Sequence, residues 1–268
     1  MLCCFLTGLA MAAVGQASAP SAVAAPSEPG GFKIVYREYQ LGTEPILRGE
    51  IVVLNGRWYQ FHNINNEIVI VDPKRAKVEL IDLSRKAQSE VTFARLDEAT
   101  QALKKVVVAT IEKKEKEGGR ANAIASKMSR DLIEPTFQVV RDEAGGVSKL
   151  SNETVQVEAK GEPDSDAVRL SRLGVVLSRL VQLDSLRNPT KIPPFPQLLT
   201  IEELTDKRKL RPLETTYIYR MTGKPIKQRW TFRFVPELTD REKQAIDKII
   251  QIQGLAKVQR LEAYDRER

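Results

Sequence analysis

Cysteine is nearly absent from this chain of 268 residues, which carries only Cys3 and Cys4. Both lie in an N-terminal segment that we expect to be removed, which would leave the mature protein without a thiol. Disulfides, thiolate nucleophiles and cysteine metal sites are then excluded. Lipid attachment is not expected either, because the residue before Cys3 is Leu2 rather than a small residue.

Histidine is just as scarce. His62, the only one, lies in the strand-like run RWYQFHNI. A metal centre usually needs several histidines or a carboxylate cluster at defined spacing, so we interpret His62 as an ordinary strand residue. The sequence therefore predicts no metal site and no cofactor.

Enzyme motifs are also missing. The chain has no nucleophile elbow, zinc-binding helix, glycine-rich phosphate loop or dinucleotide fingerprint. No catalytic residue is assigned, and the sequence favours a protein that is not an enzyme. A carboxylate-based hydrolase needs no such motif and stays open as an alternative. Its candidate acids lie on neighbouring predicted strands: Glu67, Asp72, Glu79 and Asp82.

The N-terminal segment has the character of an export signal. Residues 2–14 are apolar and uncharged, a run that suits a signal core but is too short to cross a bilayer, although no Lys or Arg precedes it. Of two small-residue sites, the first is followed by Pro20, so we predict cleavage between Ala24 and Ala25. The expected organisation is a signal peptide (1–24), a flexible linker (25–31) and one domain (32–268). The mature protein would be periplasmic or extracellular and without a transmembrane span.

The mature chain is basic. The full chain has 42% hydrophobic and 29% charged residues and a formal net charge of +7, and none of its charged residues lies in 1–24. Such a protein is attracted to anionic lipid headgroups, polyanionic envelope polymers or acidic partner proteins. Nucleic acid is not an expected partner, because basic and aromatic residues are not interleaved.

The first hundred residues predict an antiparallel meander of about five strands. Residues 32–40 alternate with period two, and two further strands flank Asn55-Gly56, a dipeptide that favours a tight hairpin turn. Another strand pair flanks the turn at 72–76, which begins Asp-Pro. This region is therefore predicted to be a sheet.

Helical spacing begins after this meander. Helices are predicted at 94–114, 121–133, 164–183, 200–210 and 240–255. Those at 94–114 and 164–183 are amphipathic, and Gly254 is expected to act as the terminator of the last helix. Three strands are predicted between 137 and 161, and a hairpin between 214 and 237. The segment 188–200 holds four prolines in NPTKIPPFPQLLT, so we expect an irregular strap that crosses the protein.

This order of elements predicts an α+β fold, with a curved antiparallel half-barrel-like sheet covered by amphipathic helices on one face. The stretch NGRWYQFHNINNEIVIVDPKRAKVELIDL resembles the early meander of the periplasmic lipoprotein-carrier superfamily in the succession of its strands and in its Asp-Pro turn. In that superfamily an incomplete barrel holds acyl chains on an apolar concave face. The resemblance implies a similar fold and ligand, and identifies no ligand-contact residue.

Two functions follow as hypotheses. The first is an exported, non-catalytic binding protein that holds an apolar or acyl-chain ligand. Its candidate ligand-binding residues are the aromatic side chains of the predicted hairpins: Trp58, Tyr59, Phe61, Tyr217, Tyr219, Trp230 and Phe232. The second is a structural or interaction protein of the cell envelope that binds a protein or a polyanion through its basic surface. A continuous apolar cavity would favour the first hypothesis, and a filled core would favour the second.

Overall fold

The computed structural model describes residues 31–40, 42–62, 66–188, 192–221 and 223–266. The predicted signal and its cleavage site lie outside these residues. The strands are β1 (Phe32–Gln40), β2 (Leu47–Leu54), β3 (Arg57–His62), β4 (Glu67–Asp72), β5 (Lys77–Asp82), β6 (Ala87–Thr92), β7 (Gln138–Asp142), β8 (Val147–Ser151), β9 (Val155–Pro163), β10 (Leu210–Tyr219), β11 (Ile226–Val235) and β12 (Lys257–Val258). The helices are α1 (Phe93–Glu117), α2 (Arg120–Ile133), α3 (Ala167–Arg187), α4 (Phe195–Glu202), α5 (Asp240–Leu255) and α6 (Leu261–Arg266), with a π-helical turn at Glu203–Lys207.

All the strands join in one twelve-stranded sheet. Its spatial order is β12-β6-β5-β4-β3-β2-β1-β11-β10-β9-β8-β7, and every neighbouring pair is antiparallel except β12 with β6. Strands β12 and β7 form the two edges, so the sheet is open. The predicted α+β fold with a curved, open antiparallel sheet is confirmed. In the part of the chain described, no helix is long and apolar enough to cross a membrane.

The predicted hairpin turn between β2 and β3 is present. Asn55 and Gly56 have φ angles of 54° and 77°. Two successive positive φ angles match a type I′ turn, whose twist suits two antiparallel strands. The meander continues through β6, one strand more than the sequence indicated.

Helix α3 covers one face of the meander, which we call the core face. Leu170, Leu173 and Leu177 of this helix are buried against apolar side chains of β1 to β6. The same helix residues were expected to form its apolar stripe. At the β8–β10 end of this face, Leu132 of α2 and Leu204 of the π-helical turn cover a second apolar cluster.

Helix α5 packs on the opposite face, which we call the back face. Ile246 and Ile249 of this helix contact apolar residues of β2 to β5. Strand β4 lies between α3 and α5, and all six of its residues are buried. The helical cover on the core face is therefore supplemented by a helix behind the meander.

The proline-rich segment differs from the expected irregular strap in its second half. Helix α4 begins at Phe195, with Pro194 as its N-cap and Pro196 in its first turn. A proline is tolerated there because the first helical amides have no intrahelical acceptor. Residues 189–191 lie outside the described residues.

Candidate functional site

The core face is filled by side chains. Beneath α3, the side chains of Ile34, Val71 and Leu80 are fully buried. Trp58 lies in the same cluster, where its ring meets Phe32 edge-on at 5.5 Å between centroids. The leucines of α3 thus occupy the volume in which a half-barrel carrier would hold an acyl chain.

The seven aromatic residues predicted to bind a ligand are divided between the two faces of the sheet. Tyr59 and Phe61 lie on the back face under α5. The other five lie on the core face: Trp58, Tyr217, Tyr219, Trp230 and Phe232. Neighbouring residues of a strand point to opposite sides, so Trp58 and Tyr59 cannot line one concave surface. Burial raises the pKa of Tyr217 to about 12, as expected for a phenol enclosed in a core.

The four candidate acids are also divided between the faces. The alternation of β4 and β5 places Glu67 and Asp82 on the core face, and Asp72 and Glu79 on the back face. Each acid has an arginine partner: Glu67 with Arg187 (2.8 Å), Asp72 with Arg57 (3.6 Å), Glu79 with Arg57, and Asp82 with Arg85 (2.8 Å).

The ion-pair partners of Glu79 oppose acid catalysis by this carboxylate. Although burial acts in the other direction, hydrogen bonding from Lys77 and the charge of Arg57 hold the pKa of Glu79 below its usual range. A general acid needs a raised carboxyl pKa. The arrangement is that of structural ion pairs.

Two surface clefts are polar. One of about 370 Å³ lies between the C-terminal part of α5 and strands β5 and β6, and is lined by charged residues including Arg57, Lys77 and Glu79. These three side chains already pair with one another. The other, of about 300 Å³, lies beside α3 and is lined by residues including Asp97, Arg179 and Gln182, which are also mutually bonded. Neither cleft has the apolar lining that an acyl chain requires.

The back face is uncovered beyond α5. Beyond α5, the sheet includes β1, β11, β10, β9 and β8. In these strands, the residues that point to the back face are at least partly exposed, and the alternate residues, which point to the core face, are mostly buried or partly buried. We call this uncovered part of the back face, on these five strands and the adjoining end of β2, the open face. The described helices leave this sheet surface accessible.

Arginines lie on the part of the open face formed by β2, β1 and β11. Arg37 of β1 lies directly opposite Arg48 of β2. Antiparallel partners have Cα atoms about 4.5–5.5 Å apart, and like charges at this spacing are destabilising. Arg233 and Arg229 follow on β11, where they lie opposite Val35 and Tyr39 of β1.

Three arginines of this group form no ion pair with an acid among the described residues: Arg37, Arg229 and Arg233. Arg48 forms an ion pair with Glu44 at 3.9 Å. The nearby acids lie beside lysines instead: Glu50 with Lys33 (3.5 Å), Glu158 with Lys149 (3.6 Å), and Glu214 opposite Lys160 in the strand register. The open face therefore carries a surplus of positive charge.

Neighbouring structure orders this surface. The guanidinium of Arg229 lies over the ring of Tyr39, with 4.2 Å between its Cζ atom and the ring centroid. A cation–π contact of this kind holds the planar group while its N–H donors remain available. Helix α5 borders the open face, joined to β1 by an ion pair between Glu242 and Lys33. The surface is thus a basic sheet flanked on one side by a helix.

Sequence analysis identified the basic charge of the protein but not this site. The alternation in β1 and β11 shows that Arg37, Arg229 and Arg233 point away from the core. It does not show that β1 and β11 are neighbours, because nearly two hundred residues of chain separate them. Only the strand pairing brings the arginines together.

Metal ligation has no support at this or any other described place. In residues 31–40, 42–62, 66–188, 192–221 and 223–266, no group of three or more His, Cys, Asp or Glu side chains could hold a metal ion. The open face is instead suited to an anionic partner that is held by arginine donors. No protein-family model matches the chain, and no curated protein matches it either.

Proposed function

We propose that this protein is a non-catalytic binding protein that holds a linear polyanion on the open face. The observation that carries the proposal is the direct juxtaposition of Arg37 and Arg48 on an uncovered sheet, with Arg229 and Arg233 on the next strand. Like charges that lie directly opposite one another on neighbouring strands cost stability in the free protein. A bound anion would remove that cost and gain charge-assisted hydrogen bonds.

The layout favours an extended polymer over a small ion. Arg229 and Arg233 are four residues apart on one strand, which corresponds to about 13–14 Å. Arg37 lies on the adjacent strand, opposite Thr231 between them. A chain with phosphate or carboxylate groups at regular intervals can engage all of these cations, whereas one small anion cannot. Helix α5 rises beside the sheet, so the open face can accept a narrow polymer more easily than a broad, flat partner.

Binding to inorganic polyphosphate tests the proposal. At low ionic strength we expect saturable binding that weakens steeply as salt is added, because exposed charges are screened within about 8 Å at physiological ionic strength. The triple variant R37Q/R229Q/R233Q should bind roughly tenfold or more weakly, as loss of several charge-assisted contacts requires. Neutral dextran serves as the uncharged polymer and should not bind.

A matched variant separates the site from net charge. Lys105, Lys113 and Arg120 are exposed on α1 and α2, away from the open face. The variant K105Q/K113Q/R120Q loses the same charge and should retain most of the affinity. Equal weakening in both triple variants, or no polyphosphate binding by the wild type at low salt, would refute the proposal.

The acyl-chain hypothesis remains a separate prediction. It would require α3 to move away from the core face, because its leucines fill that space. Extraction of protein purified from its native source, followed by mass spectrometry, would reveal a retained lipid. Binding of a fluorescent fatty acid with no effect of the arginine substitutions would favour the acyl-chain carrier over the polyanion protein.

Export is part of the same proposal. Residues 2–14 form the uncharged apolar run of a signal, and Ala22-Val23-Ala24 precedes the expected cleavage site. N-terminal sequencing of protein from the native envelope should start at Ala25. Full-length protein that begins at Met1 in the soluble cytoplasm would contradict export.

A further inference from the structure

The two edges of the sheet differ. At one edge, β12 pairs in parallel with β6, and the Gln259 backbone N–H donates to the Gln88 carbonyl oxygen at 2.8 Å. At the other edge, β7 pairs with β8 and with no other strand that the structure describes. Backbone N–H and C=O groups on the outer side of an edge strand have no partner in their own sheet, so they are able to bind another strand.

Strand β7 is exposed along its whole length. All five of its residues are exposed, and they include two large apolar side chains, Val139 at 40% and Val140 at 66%. In the register with β8, Val139 lies opposite the buried Leu150 and Val140 lies opposite the exposed Lys149. Val139 therefore points to the core face, and Val140 points to the side of the open face. Lysine, proline or a bulge commonly protects an edge strand, and β7 has none of these.

Side chains on the core face hold β7 in place. The Arg141 guanidinium donates two hydrogen bonds to the buried Glu203 carboxylate, at 2.7 and 2.9 Å. Arg208 donates to the carbonyl oxygens of Asp142 and Val147, at 3.1 and 2.8 Å. A strand that is already fixed in its extended conformation loses little conformational entropy when a second strand pairs with it. Strand β7 is therefore preorganised for pairing.

We propose that two copies of this chain pair antiparallel through β7, about a two-fold axis at Val140. This register pairs all five residues of the strand with the second copy. It places Gln138 opposite Asp142 of the second copy, so that an amide donor meets a carboxylate. An axis at Arg141 would place two arginines opposite one another, which is destabilising. An axis at Val139 would pair only the first three residues of β7.

This pairing closes with two copies. The opposite edge ends in β12, a strand of two residues, so it offers no comparable partner for β7. An interface in which the same element meets itself gives a dimer and not a filament. Five residue pairs bury less than the about 800 Å² per partner of a stable interface, so we expect a weak dimer with a dissociation constant that is roughly micromolar.

The dimer would carry both open faces on the same side. Two antiparallel copies of one strand are related by an axis perpendicular to the sheet, so the two sheets join without turning over. Four strand-to-strand steps lead from β11 to β7 in each copy and one step joins the copies, which separates the two β11 strands by about 43 Å along a flat sheet. One consequence rests on the proposed function: a long polyanion could engage the arginines of both copies and bind more tightly through its second contact.

Sedimentation velocity without polyphosphate tests the pairing. Between about 1 and about 500 μM, the wild type should shift from monomer to dimer. The variants V140K and V140E should each dimerise roughly tenfold more weakly, because like charges would face one another across the axis. An equimolar mixture of V140K and V140E should recover the dimer, because opposite charges then face one another. Recovery also shows that both variants are folded.

A matched control separates the interface from surface charge. Val106 is 64% exposed on α1, and the variant V106K should dimerise like the wild type. A wild type that stays monomeric throughout the series, equal weakening in V106K, or no recovery in the mixture would overturn the pairing. A dimer that does not bind polyphosphate would refute the proposed function and leave the pairing in place. A monomer that binds polyphosphate would do the reverse.

Discussion

Gly49 of β2 leaves the space through which the ring of Tyr36 crosses from β1 toward β3. A Cβ atom at Gly49 would come within 2.3 Å of the Tyr36 hydroxyl oxygen and 2.6 Å of the Phe61 carbonyl oxygen. On the far side, that hydroxyl accepts a hydrogen bond from Gln60 Nε2 at 2.9 Å and lies 3.0 Å from His62 Nδ1. The only histidine of the chain thus belongs to a hydrogen-bonded group that depends on a glycine.

Replacement of Gly49 by Ala should destabilise the protein strongly. The new methyl group would collide with both a buried ring and the backbone, and overpacking of this kind typically costs about 1–3 kcal/mol. Urea denaturation of the purified variant measures the change in unfolding free energy. A loss of unfolding free energy far smaller than this range would show that β2 and the ring of Tyr36 can move apart.

Replacement of Gly254 by Ala should have the opposite effect. Gly254, which the sequence indicated as the terminator of a helix, lies inside α5, and an added Cβ atom meets no other atom within 4 Å. Alanine is favoured over glycine within a helix by roughly 0.5–1 kcal/mol. Thermal denaturation should therefore show a higher melting temperature than the wild type. A lower one would contradict the helical state of this residue.

Replacement of Gly56 by Val should destabilise the β2–β3 hairpin. Gly56 has a φ of +77°, which a β-branched residue strongly resists, so the expected cost is roughly 1–3 kcal/mol. The control is Gly42→Val, where the glycine has no positive φ and an added Cβ atom has only ordinary contacts. Chemical denaturation should separate the two variants. Equal unfolding free energies for Gly56→Val and Gly42→Val would mean that the stability of the fold does not depend on the type I′ turn.

The Asp82 carboxylate should stabilise the fold in a pH-dependent way. Although burial acts to raise its pKa, hydrogen bonds from Ser84 and Arg85 lower it to about 2, from an ordinary value of about 3.9. Because the folded pKa is depressed, the contribution is complete above about pH 4 and is lost as the pH falls toward 2.

Denaturation of the wild type and of Asp82→Asn across this range measures the contribution. The difference in unfolding free energy should be constant at neutral pH and shrink below about pH 4. A carboxyl titration followed by NMR should give the same low midpoint. A midpoint near 4 would show that Ser84 and Arg85 do not hold the ionised form.

The amino-acid sequence alone determined the local elements. Period-two alternation in 32–40 predicted β1, and the Asn55-Gly56 dipeptide predicted the hairpin turn between β2 and β3. Helical spacing predicted two separate helices at 94–114 and 121–133, which correspond to α1 and α2. These features are local because backbone sterics and side-chain periodicity act within a few residues. The sequence missed β6, β12 and α6, which are short elements that depend on neighbours for stability.

The tertiary structure alone decided which surfaces are filled and which remain open. Alternation predicts two sides of a strand, but not that α3 fills one side of the meander while α5 covers part of the other. The arginines of the open face were visible as outward residues of separate strands. Their juxtaposition requires β1 to pair with both β2 and β11. Pairing of strands so distant in sequence depends on the closing of a long loop and on the packing of the whole core, which no local pattern encodes.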